Sequence, residues 1–270
     1  MLTTRQDSES LRAGPVTRLD DVYGQIDSGF AAALEELAYL DSIVCGGVSP
    51  TYDLAFCAQV VQHSMCTSGL RTHLVEGYGP PAVYGERLVD PNQPTVLIYG
   101  RGTCDNKRRH LAQLWALRAT LAAHGELPVN VKVLFMGEVV LGSPHLDLVR
   151  HHQDLLTADL AITSDGYGCG SGTPQLVLGA LDSPFAAILA GAVQQATGVE
   201  SFVAPSLGSS LPNYVFTDIL GIPSVLVPYA NADQNNHAAK ENFELSRFKD
   251  GMRICATILD HVGRAGIPSD

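Results

Sequence analysis

Apolar positions along the chain switch between two spacings, and the switches mark out the elements. Val96-Leu97-Ile98-Tyr99 is a continuous apolar run that predicts a buried strand. Gly100-Arg101-Gly102 follows, where two glycines let the backbone turn sharply. Leu111, Leu114, Trp115, Leu117 and Leu121 then recur at helical spacing to about His124. Upstream, the spacing predicts helices over 26–40 and 54–64, and short strands over 72–76 and 82–86 around the turn GYGPP. Downstream it predicts strands over 130–136, 160–164, 175–179 and 224–227. Helices are expected over 146–155, 184–197, 209–220 and 245–262. This alternation points to an α/β fold with a mostly parallel sheet covered on both faces. In such a sheet, a strand, a glycine turn, a polar cluster and a helix build a site at the strand ends, and Asp105 stands at that place. A solvated Asp near a helix start is the plain alternative.

Composition narrows the class. The 270 residues show no internal repeat or low-complexity linker. Residues 1–22 read as a flexible polar arm without a hydrophobic leader core, and 23–270 as a single α/β domain. With 46% apolar and 17% charged residues, the chain can bury a large core. A net charge of −11 and scattered histidines argue against nucleic-acid or anionic-membrane partners. No apolar run is long enough for a membrane span. The six cysteines form no CxxC pair and read as thiols, which makes a cytoplasmic location the expectation.

The order of segments resembles the di-zinc metallopeptidase family of carnosinase, acetylornithine deacetylase and glutamate carboxypeptidase. The likeness lies in PPAVYGER with the helices before it, PTVLIYG, GRGTCDNK, VLFMGEVVLGSPHLD, and AITSDG with GSSLP and NNHAAKEN, and it covers most of the chain. The resemblance implies that Asp105 matches a metal-bridging Asp in the pattern GRGxxDxKG. Asp165 would then match a terminal ligand of one ion, and His237, in HxxxEN, a ligand of the other. Lys107, Lys240 and Glu241 also match family positions and read as surface charges. His151-His152 reads as solvated, and His110 and His145 have no partner visible in sequence.

The departures from the family pattern carry the functional expectation. Tyr99-Gly100 runs straight into Arg101-Gly102, so the family's His-x-Asp pair between two such junctions is missing. Val139-Val140 stands where the family has paired glutamates, its general base and a metal ligand. Gly179 passes through Ala180-Leu181-Asp182 toward Pro184, leaving no lid domain and hence no lid-mediated dimer. Asp105, Asp165 and His237 would be shared between two ion positions, whereas a catalytic zinc normally has three protein ligands to itself. No cofactor is therefore expected, with zinc on Asp105, Asp165 and His237 as the alternative.

Three functions remain open at this point. The preferred one is metal-independent acid–base chemistry on a small amide or amino-acid-like substrate: rearrangement, cyclisation or acyl transfer. The others are a non-catalytic binding protein or partner subunit, and a weak single-metal amidohydrolase. In the preferred reading Asp105 and His237 are the catalytic pair and Asp165 tunes their protonation. A proton or the imidazolium of His237 would supply the positive charge that the missing metals leave unmatched. Ser209 and Ser210 of GSSLP, with Asn213 and Cys104, are the substrate-binding candidates. Cys104 reads as a small buried thiol in preference to a nucleophile.

Overall fold

The computed structural model describes residues 19–43, 54–100, 107–136, 144–166, 173–178, 183–204, 215–234 and 242–268. Its strands are β1 (Arg71–Val75), β2 (Ala82–Arg87), β3 (Thr95–Gly100), β4 (Asn130–Phe135), β5 (Leu160–Thr163), β6 (Gln175–Leu178), β7 (Phe202–Ala204) and β8 (Ser224–Leu226). They form one sheet in the order β1-β2-β4-β3-β5-β8-β6-β7. The central strands β4, β3, β5 and β8 are all parallel, flanked by an antiparallel β1-β2 hairpin on one side. On the other side β6 runs antiparallel to β8 and carries β7 parallel at the far edge.

The apolar run in β3 is continuous because both faces of the sheet are covered. Side chains alternate across a strand. Val96 and Ile98 therefore join one cluster with Val131, Val133, Ile162 and Val225. Helices α1 (Leu19–Ser42), α2 (Leu54–Thr67), α3 (Lys107–His124), α6 (Ala186–Thr197) and α7 (Leu245–Ala265) cover that face. Leu97 and Tyr99 point the other way, toward α4 (Pro144–His151), α5 (Gln153–Leu156) and a π-helical turn at Val215–Leu220. Each fully buried aliphatic side chain in these layers stabilises the fold by about 1.5–3 kcal/mol.

Several elements differ from their expected extents. The first helix begins at Leu19 and so takes in the last residues assigned to the arm. The helix expected over 146–155 divides into α4 and α5 at His152, whose φ of −119° and ψ of 30° leave the helical region. Only the end of the helix expected over 209–220 lies among the described residues, and it is π-helical. Strand β7, with Phe202 and Val203 exposed, is too short for a periodic signal. Lys107 is not a surface charge. Its ammonium is buried and donates to the carbonyls of Leu40 and Ile43, both at 2.6 Å, where α1 ends. Cys57 and Cys255 are buried thiols, whereas Cys66 is exposed. No helix among the described residues is long and apolar enough to cross a membrane.

Candidate functional site

Strands β3, β5 and β8 lie side by side and parallel, with Ile98 beside Ile162 and Ile162 beside Val225. Their carboxyl ends therefore open on one edge of the sheet. The chain leaving β3 carries Cys104 and Asp105, Asp165 stands two residues past the end of β5, and the chain leaving β8 leads through Gln234 toward His237. Asp165 lies among the described residues. Cys104, Asp105, Ser209, Ser210, Asn213 and His237 lie outside them.

Helix α3 delivers a polar cluster to this edge from its first turns. Arg109 is 3% exposed. Its Nη1 donates to Asp165 Oδ1 at 2.8 Å, and its Nη2 donates to the Gly166 carbonyl at 2.8 Å and to Gln234 Oε1 at 2.9 Å. The same Asp165 oxygen accepts the Gly166 N–H at 2.8 Å. One planar guanidinium thus ties together the chain after β5 and the chain after β8, a task suited to its fixed fork of donors. Tyr229 seats the same residue from below by donating its hydroxyl to the Arg109 carbonyl at 2.7 Å. Burial holds the Tyr229 phenol well above its ordinary pKa, so it stays a neutral donor. Gln113, one turn further along α3, donates to Ser164 Oγ at 2.8 Å.

His110 is buried beside this cluster. Its ring stacks on Phe135 with centroids 4.1 Å apart and planes at 16°. Desolvation lowers its pKa to about 3, with Asp165 pulling it up and Arg109 pushing it further down. It is therefore a neutral imidazole, and neither ring nitrogen has a hydrogen-bond partner among the described residues. Arg109, His110 and Gln113 were not among the candidates named from the sequence. His151 is exposed, and its Nδ1 lies 2.6 Å from the Asp147 carbonyl.

The expectation that a proton or His237 must balance the carboxylates is corrected at Asp165, where Arg109 already supplies the positive charge. Breaking this pair by removing one partner would cost about 3–5 kcal/mol, toward the lower end because the Asp165 side chain is 20% exposed. The pair also bears on zinc. Two unit charges about 4 Å apart interact by about 4 kcal/mol at a protein-like dielectric, and a dication doubles that repulsion against a guanidinium. The Arg109 guanidinium therefore opposes a dication at Asp165 Oδ1. Among the described residues no group of three or more His, Cys, Asp or Glu could hold a metal ion.

Solved structures share this architecture. The chain superposes on the dipeptidase Dug1p of Saccharomyces cerevisiae with a TM-score of 0.82 at 13% identity, covering 92% of this chain and 99% of that one. An M20 family metallo-carboxypeptidase from Sulfolobus solfataricus matches with a TM-score of 0.73 at 14% identity, over 85% of this chain and 98% of the other. A glutaminyl cyclase from Tannerella forsythia matches with a TM-score of 0.58 at 12% identity, over 91% and 99%. No protein-family model and no curated protein sequence matches the chain. At these identities the likeness is one of fold: a single α/β domain of the zinc-peptidase type with a mostly parallel mixed sheet.

Proposed function

We propose that the protein performs metal-independent acid–base chemistry on a small amide or amino-acid-like substrate, in place of zinc-dependent hydrolysis. Rearrangement, cyclisation and acyl transfer are the reactions within its reach. One observation carries this reading. Three adjacent parallel strands, β3, β5 and β8, send out the segments bearing Asp105, Asp165 and His237 from the same edge, where a guanidinium already balances Asp165. A glutaminyl cyclase of the same fold adds support, since that scaffold is not tied to peptidases.

In this reading Asp105 and His237 are the acid–base pair. Asp165, paired with Arg109, is the third ionisable group of the site. Ser209 and Ser210, with Asn213, hold a substrate carboxylate or carbonyl through hydroxyl, amide and backbone donors. Cys104 is a bystander thiol. Only residues 179–185 separate β6 from α6, which supports the absence of a lid insertion there. Any dimer then uses surfaces of the core domain.

The test is a screen of dipeptides, aminoacyl amides and peptides with amino-terminal Gln, read by mass spectrometry with chelator present. With a converted substrate in hand, Asp105→Asn and His237→Ala should each lower turnover per folded molecule by about a hundredfold or more, the usual scale for a positioned acid or base. Cys104→Ser should leave it unchanged. Near-normal turnover in the first two variants, or turnover abolished by chelator and restored by zinc, would overturn the assignment.

A further inference from the structure

We infer that Arg109 is a built-in cation that takes the charge-balancing place of a metal ion at Asp165 and closes that carboxylate to zinc. The inference rests on the metal-independent reading above and assigns the residue responsible for it. Arg109 enters from the first turns of α3, is 3% exposed, and spends its Nη donors on Asp165, the Gly166 carbonyl and Gln234. A metal-ligating His is ordinarily supported by a carboxylate, carbonyl or water, whereas a ligating carboxylate, an acceptor only, is held by hydrogen-bond donors. A guanidinium is such a donor but carries a full positive charge, so it draws on the carboxylate and repels an incoming dication. The group is also fixed in place. Tyr229 holds its backbone carbonyl, and the ring of Tyr229 occupies space that α7 leaves at Gly251, where a Cβ would come within 2.4 Å of it. Swinging Arg109 aside would therefore separate its buried guanidinium from the Asp165 carboxylate. The arrangement makes Arg109 a positioning residue as well, because it joins the chain after β5, which carries Asp165, to the chain after β8, which leads toward His237.

The experiment is zinc binding read by calorimetry and by melting temperature, on the full chain stripped with chelator. The unmodified protein should show no zinc-dependent rise in melting temperature. Arg109→Met, which keeps length and removes the charge, should melt lower without metal. It should also bind zinc at least about a hundredfold more tightly than the parent and recover stability when zinc is added. Arg109→Lys keeps the charge and should remain blind to zinc. Adding Asp165→Asn to Arg109→Met should abolish the gain, which marks Asp165 as the released ligand. A merely structural Arg109 would lower the melting temperature in both single variants and create no zinc response. Should Arg109→Met not fold, Arg109→Gln, which also removes the charge and keeps a polar end, takes its place with the same readouts. Tight zinc binding by the unmodified protein or by Arg109→Lys, lost on Asp165→Asn, overturns the inference, as does zinc silence in the charge-free variant. Loss of catalysis by the Asp105 and His237 variants is read separately, so the proposed chemistry can fail while Arg109 still excludes zinc. The reverse can be seen as clearly.

Discussion

The imidazole of His110 has little room to move. It lies flat on Phe135, and its Nε2 is 1.9 Å from where a Cβ on Gly100 would stand, with two further ring atoms within 2.9 Å of that point. Gly100 is thus required for close approach, at the strand end where the candidate site begins. Gly100→Ala should lower stability in urea by about 1–3 kcal/mol, the scale of overpacking. Combining it with His110→Ala should recover part of that loss, a coupling that a double-mutant cycle measures directly. Additive losses would mean that the two residues do not meet. His110 also sets a pH dependence. Its folded-state pKa of about 3 lies below the unfolded value of about 6.5, so between these values the unfolded chain binds a proton that the native state refuses. Stability should accordingly fall as pH drops through that window, by about 1.4 kcal/mol per unit from this group. His110→Phe should remove that part of the slope in urea titrations across pH. An unchanged slope would place the acid sensitivity elsewhere.

At the scale of elements, α3 organises the molecule. It touches α1 and α7, and its amino-terminal turns supply the site. At mid-helix, Arg118 and Trp115 reach Glu36 of α1. Arg118 Nη2 and Trp115 Nε1 donate to the carboxylate at 3.0 and 2.9 Å, and Ser64 of α2 adds a hydroxyl at 2.6 Å. Burial works against the Glu36 charge, yet these donors, Arg118 foremost, hold its pKa below the ordinary value. Glu36→Gln keeps the shape and removes the charge. It should destabilise by about 2 kcal/mol in urea at neutral pH, within the range for hydrogen bonds to a charged group. Because the folded pKa is the lower one, that contribution is present above the ordinary carboxylate range and is lost as pH falls below it. A variant as stable as its parent at neutral pH would show the cluster to be inert. The same helix explains what the sequence reading missed. His110 sits on the stripe of Leu114, Leu117 and Leu121, and Arg109 on a second stripe with Ala112, Gln113 and Ala116. Two stripes mean a helix covered on more than one side, and nearly every residue of its first half is buried. Polar residues on such a helix are structural or functional, and the small-residue stripe beside Arg109 was the available signal.

For the molecule as a whole, the sheet was legible because burial on both faces forces unbroken apolar runs, as in 96–99 and 133–136. The edge at β7 was harder to read. Strand β7 has three residues, and no period can be recognised over that length. Asp165 was singled out through the resemblance, and its partner was not legible in the sequence. Arg109 is separated from it by 56 positions, and pairing across that distance depends on which strands become neighbours. That strand order brings α3 over the β5 end and gives Asp165 a guanidinium where the resemblance implied a metal. Zinc content therefore tests the central claim most directly. Protein purified without added zinc should contain far less than one zinc per chain by elemental analysis, and chelator should leave its melting temperature unchanged. Stoichiometric zinc, with a melting temperature that drops by several degrees in chelator and returns when zinc is restored, would contradict it.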